Sequence, residues 1–201
     1  GQVYYANVTG TRSIKLTQCG FTTVTEKNDG DFPVEFHRWS QTRRLEAQTT
    51  DGNHSGQSGS AYYGWNVCMS GDGQYCAVGA IYDDSYGGDH GAVYIYKRNT
   101  DHSWGIEQRI GGGTGSSGSD YFGWSVDMNY DGTVMVVGIP YDDPQGTDSG
   151  RIHIWERSGT SWTQTTSSYS PDGDSYQYYG KCVSINGAGT IIAVGAQQRD
   201  Q

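Results

Sequence analysis

The chain has 201 residues, enough for one domain with a sizeable core, and its formal net charge of −9 argues against a nucleic-acid-binding surface. It contains 31 Gly, 16 Tyr and 6 Trp, a composition that disfavours helices and suits short aromatic strands joined by glycine turns. No stretch reaches the roughly 20 apolar residues that a membrane helix needs. The chain has no initiator Met and no signal peptide, so we expect a mature or trimmed form.

The N-terminal segment resembles a later part of the same chain. GQVYYANVTGT, Gly1 to Thr11, aligns without a gap with GRIHIWERSGT, Gly150 to Thr160. We therefore predict that the segment 1–11 is a strand of the same kind as the later one. Its matching or strand-forming residues are Gly1, Val3, Tyr5, Thr9 and Thr11. The stretch that follows, up to residue 57, predicts a degenerate repeat whose strand register is weakly defined.

The rest of the chain repeats a single pattern. An aromatic pair is followed by a glycine three times, with spacings of 59 and 57 residues, and a Val-Gly pair follows each of these glycines by fifteen residues. The first glycines are Gly64, Gly123 and Gly180, and the second are Gly79, Gly138 and Gly195. Repeats must be recognised first, because they decide the fold.

Each unit predicts four antiparallel strands. Two strands flank a turn, Gly71-Asp72-Gly73 or Asp131-Gly132, of ordinary hairpin chemistry. A long acidic loop then leads to two more strands, the first alternating apolar and polar residues as a half-buried strand does. This pattern predicts an all-β fold: a β-propeller-like array of four-stranded blades. One domain, 1–201, would hold a degenerate repeat (1–57), two full repeats (58–114 and 115–173) and a half repeat (174–201).

Phe122-Gly123, followed by Gly138-Ile139-Pro140, resembles the FG-GAP repeat of integrin-type β-propellers and of many secreted microbial proteins. The resemblance covers residues 59–201 and implies a propeller-like fold. It says little about function, because propellers host many unrelated activities.

The half repeat at 174–201 exposes unpaired backbone groups, which makes a sticky edge. The strand at 1–11 is of the type that this repeat lacks. It could complete the repeat within one chain and close a small ring. Alternatively, it could complete the repeat of the next chain, and a head-to-tail contact of that kind makes a filament unless it closes. We carry both arrangements forward.

The acidic loops are candidate calcium sites. They share the pattern D-D-x-x-G-x-D, and Ca²⁺ prefers six to eight oxygen ligands. The candidate ligands are Asp83, Asp84, Asp89, Asp142, Asp143 and Asp148. Their other interpretation is that the carboxylates shape the loop by binding backbone amides. In integrin-type relatives the calcium loop is D-x-D-x-D-G elsewhere in the blade, and this chain lacks it. No cofactor is required in either case.

Four cysteines and two sequons favour a secreted or cell-surface protein. Cys68 and Cys76 flank the Gly71-Asp72-Gly73 turn symmetrically, which predicts a disulfide across the hairpin. Cys19 and Cys182 would pair if the N-terminal segment completes the half repeat. The predicted glycosylation sites are Asn7 and Asn53.

The recurring tyrosines and tryptophans predict packing between blades, with stacking on sugars as the alternative. His153 is expected to face outward from its strand. No nucleophile motif or metal-histidine spacing appears, so we predict that the protein is not an enzyme. The preferred function is a self-assembling extracellular filament subunit whose partner is itself. The alternative is an adhesion module that binds glycans or proteins, with calcium as a candidate ligand.

Overall fold

The computed structural model describes residues 4–8, 14–18, 45, 61–83, 89–111 and 119–197. Every regular secondary-structure element in these ranges is a β-strand, which confirms the predicted all-β class. The same ranges hold no helix long and apolar enough to cross a membrane. The chain divides into two compact units, Gly1–Arg44 and Leu45–Gln201. The predicted repeat boundary after residue 57 lies outside the described ranges.

The first unit contains a hairpin of two antiparallel strands, β1 (Tyr4–Val8) and β2 (Ile14–Gln18). Its pairing resembles that of a later hairpin. Tyr4 pairs with Gln18, and in the alignment of residue 1 with residue 150 these two positions correspond to His153 and Ser167, which also pair. The strand predicted within residues 1–11 is therefore present as β1, and it pairs with a second strand, β2, that the sequence pattern did not predict.

The described residues of the second unit form two complete four-stranded antiparallel sheets and one two-stranded sheet. The first repeat comprises β3 (Tyr63–Met69), β4 (Tyr75–Ala80), β5 (Ala92–Arg98) and β6 (Trp104–Gly111). The second comprises β7 (Ser125–Met128), β8 (Val134–Ile139), β9 (Arg151–Ser158) and β10 (Ser161–Tyr169). The third comprises β11 (Cys182–Ile185) and β12 (Ile192–Gly195). Each complete sheet runs in chain order, as a propeller blade does.

The tight turns between the first two strands of each repeat follow the predicted chemistry. Gly73, Gly132 and Gly189 adopt positive φ angles of 68°, 62° and 72°, which favour glycine. Polar side chains brace the backbone beside them. In the second repeat Asn129 accepts hydrogen bonds from the N–H groups of Thr133 and Val134, both at 2.9 Å. The turn residues therefore set the register of these hairpins.

The apolar core lies between neighbouring sheets, at the junction of the first and second repeats and at the junction of the second and third. One cluster joins the first and second repeats and includes Ala77, Val93, Phe122, Val126 and Met135. Another joins the second and third repeats through Val136, Ile152, Val183 and Ile185. As a result β5 is buried on both faces at its first five residues, and the half-buried alternation expected for that strand is wrong. The physical reason is that Val93 and Ile95 pack on the second repeat, while Tyr94 and Tyr96 on the other face are covered by Tyr63, Trp104 and Ile106 of their own sheet and by Leu45.

The repeats touch through glycines that lie backbone against backbone. A Cβ atom added to Gly79 would overlap the carbonyl oxygen of Gly123. In the same way, a Cβ on Gly138 would overlap the carbonyl oxygen of Gly180. The recurring glycines of the sequence are therefore contact points, because any side chain there would hold the sheets apart.

Candidate functional site

The first acidic loop is anchored by a buried carboxylate. Asp83 is fully buried and accepts a 2.6 Å hydrogen bond from the hydroxyl of Tyr94. The guanidinium of Arg109 forms an ion pair with the same carboxylate. The carbonyl of Asp83 also accepts the N–H of Gly91, at 3.1 Å, which closes the loop. Asp83 therefore holds the loop to the sheet.

The second acidic loop has the same arrangement in a more open setting. Asp142 forms an ion pair with Arg151 at 2.5 Å, and its carbonyl accepts the N–H of Gly150 at 2.9 Å. Asp143 accepts the backbone N–H of Asp148 at 2.6 Å. Burial raises the pKa of Asp142, while Arg151 opposes that shift. Arginine side chains and a backbone amide thus occupy the carboxylates of Asp83, Asp142 and Asp143, three of the candidate ligands.

The described acidic residues do not fit a calcium cage. Within the described ranges no group of three or more His, Cys, Asp or Glu side chains could hold a metal ion, although calcium needs six to eight oxygens. Asp84 lies outside the described ranges. Asp89 and Asp148 adopt positive φ angles of 51° and 52° at equivalent loop positions. The described contacts agree with the interpretation that these carboxylates shape the loop.

Asp120 is the acid that the sequence analysis did not single out. It is buried at the junction of the first and second repeats, and one of its carboxylate oxygens is buried with no hydrogen-bond partner. Burial raises its pKa to about 6, with Asp142 adding to the shift and His90 opposing it. No spacing signal marks Asp120, since the equivalent positions are Ala61 and Gln177.

His153 is buried rather than outward-facing, so that expectation is wrong. Its ring lies 5.9 Å from the ring of Phe122, between centroids. Burial lowers its pKa to about 4, and Arg151 adds to the effect. The reason is again that β9 has a sheet packed on the face that the sequence pattern assigned to solvent.

A row of aromatic rings runs along the three repeats, as predicted for packing between blades. Tyr82 lies 5.0 Å from Tyr121, and Tyr141 lies 5.3 Å from Tyr178, between ring centroids. Each of these contacts joins a loop of one repeat to the aromatic pair of the next. Tyr62 and Trp65, at the first-repeat end of the row, are exposed.

The first repeat carries a bare sheet face, which we call the incoming face: Val67 and Met69 of β3. The ring of Trp65 instead lies against Trp124 of the second repeat, 4.9 Å between centroids. Val67 is 64% exposed and Met69 53%. The alternate residues of β3 contact the second repeat, since Asn66 accepts the N–H of Val126 at 3.2 Å and Cys68 packs on the shared core. The incoming face therefore points away from the second repeat.

The third repeat carries a second bare face, which we call the outgoing face: Ile191, Ala193 and Gly195. All three residues are exposed, and Ile191 is 67% exposed. The residues between them, Ile192 and Val194, pack on the second repeat. The described atoms nearest to a Cβ on Gly195 belong to Cys182 in its own repeat, at ordinary contact distance.

The outer edge of β12 is also open. Among the described residues, β12 pairs only with β11, whereas the equivalent β8 pairs on both sides, with β7 and β9. Of the predicted strand-donation residues, Tyr5 lies in β1 and pairs with Thr17. Gly1, Val3, Thr9 and Thr11 lie outside the described residues.

The predicted Cys68–Cys76 disulfide is not formed. The register pairs Cys68 with Ala77 and Cys76 with Met69, and this offset of one residue sends the two side chains to opposite faces of the sheet. Both are free thiols whose pKa values are raised by burial.

The second predicted disulfide and the two sequons fall partly outside the described ranges. Cys182 is a free, exposed thiol, and its predicted partner Cys19 is not among the described residues. Of the sequons, Asn7 lies in β1 and Asn53 lies outside the described ranges.

The family model described as "FG-GAP repeat" matches residues 39–96 and 104–155, more than half of the chain. No curated protein matched the chain. FG-GAP repeats form β-propeller modules, often for adhesion or binding, and occur in extracellular and surface proteins. The family is generally non-enzymatic and often binds calcium. The two matches cover most of the first and second repeats, and this chain belongs to the FG-GAP repeat family.

Proposed function

We propose that this protein is a non-catalytic extracellular structural subunit that assembles head to tail by strand complementation. The observation that carries the proposal is the open edge of β12. The equivalent strands β4 and β8 are each paired on both sides. An unpaired edge is a template for another strand, because its N–H and C=O groups lack partners.

The hairpin β1–β2 is the proposed donor. It aligns with the outer hairpin β9–β10, and Tyr5 pairs with Thr17 as Ile154 pairs with Thr166. In the second repeat, Ile154 also pairs with Val136 of β8. The same register in the third repeat would pair Tyr5 with Ala193 of a neighbouring subunit.

Such a contact joins different surfaces of the two subunits, so it repeats into a filament unless the rotation closes a ring. An extracellular location is supported by the occurrence of FG-GAP repeats in surface proteins and by the two sequons. The formal charge of −9 keeps the free subunits apart at low ionic strength, so we expect assembly to increase with salt.

Removal of residues 1–18 tests the proposal. We expect the shortened chain to remain monomeric in sedimentation velocity and electron microscopy, while the full chain forms particles with a regular repeat. A synthetic peptide of residues 1–18 should then bind the shortened chain. Assembly that survives the deletion would show that the hairpin is not the donor. A full chain that is monomeric and does not bind the peptide would indicate closure within one chain.

The second candidate function is adhesion to glycans or proteins. The observation that favours it is the exposure of Tyr62 and Trp65 at one end of the aromatic row, since exposed aromatic rings stack on sugars and anchor interfaces. Binding to a glycan array, measured with and without a calcium chelator, tests this candidate. Loss of binding on chelation would support a calcium-dependent site, and absence of glycan binding would leave proteins as ligands.

A further inference from the structure

We infer that the incoming face of one copy docks onto the outgoing face of a second copy, in the arrangement that neighbouring repeats already use within the chain. The inference rests on the proposed self-assembly and adds a surface to it. The contact packs sheet face on sheet face, which is separate from the hydrogen-bonded pairing of strand edges.

The molecule itself shows what covers an incoming face. Val126 and Met128 of β7 occupy the positions of Val67 and Met69, yet each is only 5% exposed because they pack against the first repeat. In β11 the same positions are buried against the second repeat. In both described cases the cover is the outgoing face of the preceding repeat.

The outgoing face of the third repeat has the required shape. Gly195 follows Gly79 and Gly138 in the repeat, and those two glycines receive the backbone of the next repeat at Gly123 and Gly180. Among the described residues Gly195 has no such neighbour, and Gly64, which is equivalent to Gly123, is exposed with open space around it. The new junction would therefore place Gly64 of one copy against Gly195 of the other.

Polar contacts of the existing junctions also have counterparts. Asp127 accepts the N–H of Ile185 across the second junction, at 2.8 Å. Ser184 stands at the position of Asp127, and Met69 stands at the position of Ile185. The Ser184 hydroxyl is an acceptor in the position where the docked Met69 N–H would need one.

The two faces match in extent. The incoming face is bare at the inner strand β3, whereas Tyr94 and Tyr96 farther out on the same side of the first repeat are buried in a cluster that includes Leu45. The outgoing face belongs to a sheet of two inner strands, β11 and β12. A two-stranded sheet is therefore wide enough to cover the exposed part of the incoming face.

The occupant in this inference is a second copy, because the described residues of one chain leave both faces uncovered. Both faces belong to the compact unit Leu45–Gln201, and within it both remain exposed. They therefore do not cover each other within one molecule.

Two single substitutions in the full chain test the contact. Gly195→Ala adds a Cβ that meets only ordinary contacts in the free chain but would strike the docked backbone. Val67→Glu places a charge on the incoming face. We expect each to weaken self-association at least roughly tenfold in sedimentation velocity, because a central interface position is altered. The matched controls are Gly187→Ala, an exposed glycine with room for a Cβ, and Tyr169→Glu, an exposed aromatic on β10.

A mixing experiment then distinguishes the faces. The Gly195→Ala chain keeps an intact incoming face, and the Val67→Glu chain keeps an intact outgoing face. Neither should assemble alone, and a 1:1 mixture should form dimers and nothing longer. Equal association of both variants and both controls would overturn the face contact, while loss of assembly on removal of residues 1–18 would still support strand complementation. Loss with the face variants but not with the deletion would support the face contact and reject the hairpin as donor. A wild-type chain that is monomeric at all concentrations overturns both.

Discussion

Two inner strands of this protein have nearly the same sequence and opposite surroundings. Residues 64–69, which lie in β3, read GWNVCM, and residues 123–128, which end in β7, read GWSVDM. Val67 is 64% exposed, whereas Val126 is 5% exposed. The difference lies in the neighbour, because β7 packs against the first repeat and β3 has no equivalent cover among the described residues.

The repeat pattern therefore specifies a surface that fits a partner sheet, whether or not that sheet is present. A strand with one apolar face gains stability only when that face is removed from water, at roughly 25 cal/mol for each Å² buried. Identical substitutions at equivalent positions should therefore have very different effects on the stability of the monomer. Matched pairs of substitutions at equivalent positions test this expectation.

The largest effect is expected at the glycine contacts. Gly138→Ala should destabilise the fold by about 4 kcal/mol, above the usual cost of overpacking, because the new Cβ overlaps a backbone carbonyl that cannot rotate away. Gly195→Ala should change the free energy of unfolding by less than about 0.5 kcal/mol. Urea unfolding followed by tryptophan fluorescence measures both. Similar values for the two variants would show that the glycine contact does not hold the repeats together.

The second largest difference in stability is expected between substitutions of Asp83 and Asp142, which anchor the two acidic loops. Asp83→Asn removes one partner of a buried ion pair and should cost about 3 kcal/mol. Asp142→Asn should cost about 1 kcal/mol or less, because the Asp142–Arg151 pair is more exposed. The same unfolding assay applies, with and without added calcium. A calcium-dependent gain in the stability of the wild type, absent from both variants, would revive the metal hypothesis.

The inner strands provide the direct test of the comparison. Met128→Ala should cost about 2–3 kcal/mol, since it empties a buried site between two repeats. Met69→Ala should cost less than about 0.5 kcal/mol in the monomer. Both proteins should be measured at a concentration where the wild type is monomeric. A large cost for Met69→Ala under those conditions would mean that β3 is covered within one chain.

The smallest effect concerns Asp120, which the first and third repeats replace by Ala61 and Gln177. Its pKa is raised from 3.8 to about 6, so the folded state holds the proton more tightly and stability falls as pH rises from about 4 to 6. Asp120→Asn removes this penalty. The variant should be more stable than the wild type at pH 7, and this difference should vanish below about pH 4.

The difference in unfolding free energy between the wild type and Asp120→Asn reports on the Asp120 carboxyl alone. His153 acts in the opposite direction, because its lowered pKa costs stability as pH falls from 6.5 towards 4. It is present in both proteins, so its contribution cancels from their difference. Unfolding free energies measured from pH 4 to pH 7 check the sign. A difference that grows on acidification would contradict the burial of Asp120.

Much of the fold could be predicted from the residues. The turn glycines, such as Gly73 and Gly132, adopt the positive φ angles that their hairpins need. The order of strands in each repeat follows the chain, as the repeated pattern predicts. These features are local, since a tight turn and its two flanking strands lie within about a dozen residues.

The candidate site was harder to predict. The wrong and missed predictions there have one cause, which is that strand register and distant contacts decide where each side chain lies. Cys68 and Cys76 are symmetric about the turn in sequence, yet the actual register sends them to opposite faces. His153 lies on an apparently polar face that a neighbouring sheet covers. Asp83 has a pairing partner, Arg109, that is 26 residues away in sequence. None of these contacts has a spacing that the sequence pattern reveals.

The sequence by itself determined the repeat, its turns and the two glycines at which neighbouring repeats meet, because these depend on backbone geometry that only particular residues allow. Only the tertiary structure decided which copies of the repeated face are buried. Burial of a sheet face depends on a partner sheet that can lie more than fifty residues away, so the same Val-x-Met pattern forms core in β7 and an exposed surface in β3.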